Sequence, residues 1–485
     1  MPFEKAPRAC RIVCTLGPAS SSPVVLEQMI LAGMNVVRLN FSHGTHDSHR
    51  QTVDTLRQVS TQLSRPVAIL QDLQGHKVRT GSLVGETPMQ LQTGQEIRVG
   101  HGATLSAERL GIDYVGIVQH VAPGHRLYLD DGAIELQVLA IEGEDLRCQV
   151  RVGGELGSRK GVICPDSDLS FPLLNEKDLD DGRFGVQLQV DMVAMSFVRS
   201  ATEILEMRLR LAEWGAPQPF LVAKIEDRKG IDNLDEILYV ADAVLIARGD
   251  MGVTLPREQV PQIQKVMIRQ ANAMGVPAIT ATQMLESMSL YSKPTRAEVN
   301  DVYNAVLDGT DAVMLSGETA LGRYPVLAVQ EMDRICRTAE AVLVRNPLPI
   351  QGKEGLHRAL GAEGLRHQIA AAAGTLANGL QARCILAFSR SGRTLRALSA
   401  ARCSVPVYGV VPEERLLHQL LLHWGLSLTV MPYKEQLADL VDPMLDSLRQ
   451  TDIATASDRV LVVASTLEPN GQASYLLKLY APEGR

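Results

Sequence analysis

Short apolar runs alternate with amphipathic segments along the first 72 residues. RIVCTLG (11–17) reads as a buried strand that breaks at Gly17-Pro18. Ser20 to Ser22 then offer N-caps, Pro23 stands early in a helix over 24–32, and Gly33 stops it. Residues 35–41 predict a second strand, 48–63 a polar helix, and 67–71 a third strand ending at Asp72. This β-α-β-α-β order predicts a parallel sheet with helices outside.

The texture changes after KVRTG (77–81). From about 82 to 168 the chain shows short alternating segments, with Asp130-Asp131-Gly132 and Glu142-Gly143-Glu144 as hairpin turns. They predict an all-β module inserted into the α/β domain. The α/β pattern then resumes. Asn175 opens a helix, 191–197 is a strand, and 201–214 is a helix. FLVAKI (220–225) and AVLIAR (243–248) are apolar runs that end in charge, with a helix over 230–241 between them. A helix around 261–274 and strands at 278–282 and 312–316 complete eight strands alternating with helices. Eight βα units predict a (β/α)₈ barrel, with a doubly wound open sheet as the alternative. Residues 346–365 read as a linker. Beyond it, a helix (366–378) and strands at 384–388, 407–411 and, last, 460–464 predict a small doubly wound domain. The expected division is 1–72 with 170–345, an insert over 73–169, and a C-terminal unit over 346–485.

Composition narrows the function class. A chain of 485 residues is too long for one ordinary domain. Its formal charge of −7 argues against a nucleic-acid partner. Seven scattered cysteines with no CxxC pair predict reduced thiols and a cytoplasmic setting. The N-terminus shows no signal-peptide core, and no run of about 20 apolar residues predicts a membrane span.

Ligands in such folds bind at the carboxyl ends of the strands. Those ends carry Arg38, Asn40, Ser42 and His43; Asp72, with Lys77 and Arg79 beyond; Ser196; Lys224 and Glu226; Arg248 and Asp250; Thr280 and Thr282; and Ser316 and Glu318. Glu226 and Asp250 suit a shared divalent metal, and Lys224 suits an anion. Hard oxygen ligands favour Mg²⁺ or Mn²⁺ over zinc, and the excess of Arg and Lys suits phosphate. Together they predict phosphoryl transfer. The bland alternatives are strand-terminal ion pairs for Glu226 and Asp250, and an ordinary loop histidine for His43. An arginine inside VVRLN needs a partner or a ligand. Glu286 is expected to cap or pair on the helix after it, Met284 and Met288 to lie in the core, and Asp130-Asp131-Gly132 to be only a turn. The loop Ser389-Arg390-Ser391-Gly392-Arg393-Thr394 follows a strand and opens a helix, a setting for phosphate and hence an effector site, with a plain helix cap as the alternative.

IVCTLGPAS, GMNVVRLNFSHG, QDLQGHKVRTG, RKGV, NEKDLDD, MSFVRS, AKIED, IARGDMGV, ATQMLESM, KPTRAEVNDVYNAVLDGTDAVMLSGETALGRYP and SRSGRT closely resemble the pyruvate kinase family. The resemblance runs from residue 11 to about 394. It implies a (β/α)₈ barrel, an inserted β-barrel lid, a C-terminal regulatory domain, a homotetramer, and no N-terminal helical arm before Ala9. It implies conversion of phosphoenolpyruvate and ADP to pyruvate and ATP with Mg²⁺. Glu226 and Asp250 would hold the metal, Lys224 would stabilise the transferring phosphoryl group, and Arg38 would hold that of phosphoenolpyruvate. Gly249, Asp250, Ser196 and Thr282 would line the substrate, with Thr282 and a water supplying the proton to carbon three. Asn40, His43, Arg79 and Lys160 would hold the nucleotide phosphates.

Many family members follow the third-strand Asp with Thr-Lys-Gly-Pro-Glu. This chain has Leu73-Gln74-Gly75-His76-Lys77. An ammonium at 77, beside Asn40, Ser42 and Asp72, stands where relatives use an acid and a bound K⁺, and a second cation there would be repelled. The expectation is a K⁺-independent enzyme, with a solvent-facing Lys77 as the alternative. A phosphorylated metabolite, either a sugar phosphate or a nucleoside monophosphate, is the expected effector. Two rivals stay open at this point: a Schiff-base enzyme using Lys224, and a catalytically weak sensor of sugar phosphates.

Overall fold

The structure, a computed structural model, describes residues 3, 8–83, 87–215, 218–345, 362–434, 436, 438–467 and 473–481. Most of the expected linker, 346–361, and residues 4–7 before Ala9 lie outside these. Eight parallel strands close a barrel: Arg11–Thr15, Val36–Asn40, Ala68–Asp72, Met192–Met195, Phe220–Ile225, Ala243–Ala247, Ala278–Ala281 and Ala312–Leu315. Each strand is paired with its neighbours in chain order, and the first closes onto the eighth through Arg11↔Ala312 to Cys14↔Leu315. The open-sheet alternative is thereby excluded.

Local chemistry accounts for the helices between them. Ser22 caps Pro23–Ala32 by accepting from the Val25 N–H. The second helix runs His46–Leu63, starting two residues before the expected Ser48, because Thr45 and Ser48 form a reciprocal cap. Arg296–Leu307 is capped by the Thr295–Glu298 pair; Glu286, expected to serve that helix, opens a short 3₁₀ turn of its own. The segment 230–241 is two short helices, Arg228–Asp232 and Leu234–Val240, meeting at Asn233.

Strand parity sets the site. In the second, third and fifth strands Val36, Ala68, Leu70 and Val222 point into the barrel, while Val37, Leu39, Ile69, Ala223 and Ile225 pack outward against helices. Continuing the inward parity to the carboxyl ends puts Arg38, Asn40, Asp72, Lys224 and Glu226 on the mouth side. The inward apolar residues belong to one cluster with the C-terminal domain, including Ile385, Leu398 and Leu461. Arg11 reinforces that junction: its Nε donates to His423 O at 2.9 Å, and its guanidinium also reaches Leu426 O.

Residues Val78 to Ile163 form a nine-stranded sheet with its own aliphatic core and a two-stranded companion, Met89–Leu91 with Gly154–Leu156. The ladder is a curled sheet rather than a closed barrel. Its edge strands, Val78–Arg79 and Ser82–Leu83, are adjacent in sequence, and a bridge from Thr80 to Ile112 draws the curl in. Asp130, Asp131 and Gly132 all have left-handed backbone in the hairpin between Arg126–Leu129 and Ile134–Glu142.

The C-terminal domain is a five-stranded sheet in the order Leu426–Val430, Val407–Val411, Cys384–Phe388, Val460–Leu467, Ala473–Tyr480. Two strands were not expected. Leu426–Val430 pairs in parallel with 407–411, and Ala473–Tyr480 pairs antiparallel with 460–467, so residues 460–464 are not the last strand. All seven cysteines are free. Among the described residues no helix is long and apolar enough to cross a membrane.

The insert joins the barrel through two segments, and both are tied. Leu73 N donates to Ala194 O at 3.0 Å. Gly75 N donates to Asp178 Oδ1 at 3.1 Å, and Asn175 Nδ2 donates to Gly75 O at 3.0 Å. Gly75 has φ +70°, and a Cβ there would lie 2.6 Å from Ser196 Cβ, so only glycine fits. Burial pushes the Asp178 carboxyl up to about 6, and the Gly75 N–H opposes that only in part.

A carboxyl raised in this way binds a proton in the folded state that the unfolded state has already released. Stability from this group therefore falls as pH rises through the window between about 4 and 6, by ~1.4 kcal/mol per unit at most. Asp178→Asn removes that dependence. Denaturant titrations at pH 4 and pH 7 should show the variant gaining on the parent by about 1–3 kcal/mol across the interval; a constant difference would contradict the assignment.

Candidate active site

The mouth of the barrel is organised by one buried carboxylate. Asp72, 1% exposed, accepts from Arg38 Nε through Oδ2 at 2.6 Å, and Lys224 Nζ stands 3.0 Å from Oδ1. The second contact is an ion pair rather than a directed hydrogen bond, since Oδ1 has no aligned donor. Lys224 Nζ donates to Ser196 Oγ at 2.5 Å and lies 3.1 Å from Glu226 Oε1. Ser196 Oγ passes a hydrogen bond to Leu73 O at 2.8 Å. Arg38 also donates through Nη1 to Thr15 Oγ1 at 3.0 Å. Arg38 therefore has partners, as an arginine in an apolar strand requires.

The electrostatics follow from that packing. Burial alone would strip Lys224 of its proton, but Asp72 and Glu226 outweigh it and hold the ammonium above the usual lysine range. Glu226 is pushed up to about 7 by burial, aided by the charges of Asp250 and Asp72 and opposed by Lys224. Asp72 is held below the ordinary range: burial would raise it, and Lys224 and Arg38 together reverse this. A carboxyl as uncomfortable as Glu226, with a second carboxylate near and only oxygen donors offered, fits a hard divalent cation, so Glu226 and Asp250 suit Mg²⁺ or Mn²⁺.

The far wall is strained. Thr282 and Gln283 have φ of +66° and +55°, and Phe197 has +55°. Such backbone costs on the order of 1–3 kcal/mol per residue, and it is most unusual for a β-branched threonine. The surroundings enforce it. Arg248 donates to Ala281 O at 3.1 Å and Thr282 O at 2.6 Å while pairing with Asp301 at 2.7 Å. Gly249 N donates to Thr282 Oγ1 at 2.8 Å, and Phe197 N donates to Glu226 Oε2 at 2.8 Å. Arg248 thus shapes the wall and is not free for an anion.

Other expected residues divide. Asn40 Oδ1 accepts from Ser42 N at 3.1 Å, and His43 is exposed on the same loop. On the insert, Lys160 Nζ pairs with Asp130 at 2.9 Å and Arg79 Nη1 donates to Arg159 O at 3.1 Å. Asp130 therefore does more than make a turn. Lys77 is exposed and lines a cleft of about 840 Å³ with Asp131, Gly249 and Asp250, while the Asp72 oxygens face Arg38 and Lys224. Thr280 is buried against Thr310 and does not reach the mouth, and Glu318 is buried, accepting from Leu285 N and Ser316 N. Met284 and Met288 are buried.

Sequence reading missed Thr15 and, as more than a turn residue, Asp131. Thr15 shares inward parity with Val13, a signal that was available; Asp131 needed the fold of the insert. In the C-terminal loop, Ser391, Arg390 and Arg393 are exposed, whereas Thr394 is buried with its hydroxyl 3.1 Å from Ser465 Oγ. Arg390 lies over Tyr433 at 4.5 Å, and Ser389, Arg390, Tyr433, Lys434 and Ser465 line one cleft.

Removing the central carboxylate should be costly. Asp72→Asn leaves Arg38 and Lys224 facing each other in a buried site, and a loss of about 3–5 kcal/mol is expected in denaturant unfolding. A loss below 1 kcal/mol would mean the cluster is not held together by Asp72.

The family profile described as "Pyruvate kinase, barrel domain" matches residues 7–329, and "Pyruvate kinase, alpha/beta domain" matches residues 367–476. Curated proteins named "Pyruvate kinase" from Staphylococcus aureus strains MRSA252, bovine RF122 / ET3-1 and USA300 are each 40% identical over 468 residues, covering 96% of this chain and 78% of theirs.

Proposed function

The chain belongs to the pyruvate kinase family and exchanges a phosphoryl group between phosphoenolpyruvate and ADP, and on that premise we propose which residues carry the chemistry. The observation that supports the reading best is the Lys224 ammonium, buried among Asp72, Glu226 and Ser196 and kept charged there. Phosphoryl transfer needs fixed positive charge where charge moves, and a low-dielectric pocket strengthens it. Lys224 neutralises the transferring group. Arg38, its Nε and Nη1 anchored by Asp72 and Thr15, turns its remaining nitrogen to the phosphoryl oxygens of phosphoenolpyruvate. Gly249, Asp250 and Ser196 line the substrate. Thr282, its hydroxyl oriented by the Gly249 N–H, faces the pyruvate side and passes a proton from water to carbon three. Mg²⁺ is a general requirement of the family; Glu226 and Asp250 would hold it here, and it would supply charge neutralisation and a grip on the substrate carboxylate. Asn40, His43 and, from the insert acting as a lid, Arg79 and Lys160 hold the nucleotide phosphates. Lys160 exchanges Asp130 for phosphate on binding.

We propose that turnover needs no K⁺. Two cations already face Asp72, and Lys77 adds a third positive charge at the mouth where relatives carry an acid. The Ser389–Thr394 loop, with Lys434 and Ser465 beside it, is proposed to take a phosphorylated effector through Ser391, Arg390 and Arg393 and the Gly392-capped helix end. A homotetramer in the cytoplasm fits the exposed Leu290, Tyr291 and Leu321 and the unpaired thiols.

In a lactate dehydrogenase-coupled assay the chain should turn over phosphoenolpyruvate with ADP, and Lys224→Met should lose at least about 10²-fold in kcat; a fully active variant would end the assignment. With Tris as the sole monovalent cation, turnover should persist, and a collapse restored by K⁺ would end the K⁺ proposal. Ser391→Ala should weaken activation by phosphorylated metabolites without lowering saturated turnover; unchanged activation would remove the effector site.

A further inference from the structure

The two segments that carry the insert meet at one ring contact. His76, on the outgoing segment, stacks on Phe171, on the returning one, with centroids 4.8 Å apart and planes 17° from parallel. Phe171 is also touched from the insert by Tyr114, edge-on at 5.5 Å, and from the barrel by Arg199, whose guanidinium lies 5.7 Å above it. Tyr114 Oη accepts from Ser170 N and donates to Ser170 O, both at 3.1 Å. Arg199 donates to Leu169 O at 3.2 Å and to Asp227 Oδ2 at 2.7 Å, beside Glu226. Lid, barrel and both connectors therefore converge on one phenyl ring.

The His76 ring is hydrogen-bonded to the Pro172 backbone on the returning segment, while Nε2 is buried with no partner among the described residues, a cost that the ring's packing must offset. Burial, with Arg199 near, holds its pKa below the ordinary histidine value, so the ring is neutral near pH 7 and stacks as an aromatic plate. The same outgoing segment is bonded at Leu73 O to Ser196, which holds Lys224.

We propose that the His76–Phe171 stack is a hinge clamp that fixes the lid over the barrel mouth and thereby positions Arg79 and Lys160 for the nucleotide. The proposal rests on the reading that those two side chains hold the nucleotide phosphates. His76 touches no substrate; it is a positioning residue. Its loss frees the lid to rotate, which weakens nucleotide capture and leaves the barrel-bound chemistry in place.

The test is steady-state kinetics on the full chain, varying ADP at saturating phosphoenolpyruvate and the reverse, for His76→Ala, His76→Phe, Phe171→Leu and, as reference, Lys160→Ala. An aromatic pair of this kind translates to about a 3- to 10-fold rise in KM for ADP in His76→Ala and Phe171→Leu. kcat and KM for phosphoenolpyruvate should stay within about twofold, and His76→Phe should restore the parent KM. Hydrogen exchange at 73–77 and 169–175 should speed up in His76→Ala and return to parent rates in His76→Phe. If Lys160→Ala raises KM for ADP and His76→Ala does not, the clamp is wrong. If Lys160→Ala has no effect, the nucleotide reading fails and the clamp's purpose with it. If His76→Phe is as impaired as His76→Ala, stacking is not the cause and the proposal falls. Should His76→Ala fail to fold, Phe171→Leu and His76→Phe decide by the same criteria.

Discussion

The mouth of this barrel depends on a single buried balance of charge, Arg38–Asp72–Lys224–Glu226. None of these groups is stable there alone. Asp72 is desolvated almost completely and is ionised only because two cations flank it. Lys224 is charged only because two carboxylates surround it. Glu226 is the least satisfied member: Oε1 pairs with Lys224 and Oε2 accepts from the Phe197 N–H, while burial and the charge of Asp250 work against its ionisation. The cluster is thus pre-organised for charge but one positive charge short on the Glu226 side.

The wall opposite stores strain rather than charge. Arg248, which lies at a strand end like Arg38 and Lys224, holds the positive-φ backbone at Thr282. The arginines at the ends of the second and sixth strands therefore play different parts. Arg38 is bound through Nε and Nη1 by Asp72 and Thr15, whereas Arg248 is enclosed by two carbonyls, Asp301 and Gln264.

Much of this was legible in the chain. Apolar runs located all eight barrel strands to within two residues at each end, because buried parallel strands leave a continuous apolar record. Capping residues placed most helices. Leu426–Val430 escaped notice because LSLTV is brief and follows a run of leucines that reads as helix, and Ala473–Tyr480 because a lone antiparallel edge has half its side chains polar. Within the site, Lys224, Glu226 and Asp72 were readable from position alone. The standing of Lys77 was not. Its charge is visible in sequence, but only the structure shows it exposed on the cleft with Asp131, Gly249 and Asp250, since a loop after a strand carries no parity to follow.

The closure of the barrel also dictates an order of assembly. The Thr15 hydroxyl bonds to Leu315 O, 300 residues away, and the third strand finds its fourth partner only after the whole insert has been made. The insert instead pairs mostly with near neighbours and owns a separate apolar core. During synthesis it has everything it needs to fold while the first three barrel strands still wait for the rest, because local contacts close with little loop entropy and distant ones do not. The insert is therefore complete before the barrel mouth exists, and its two connectors are the last part of it to find their places.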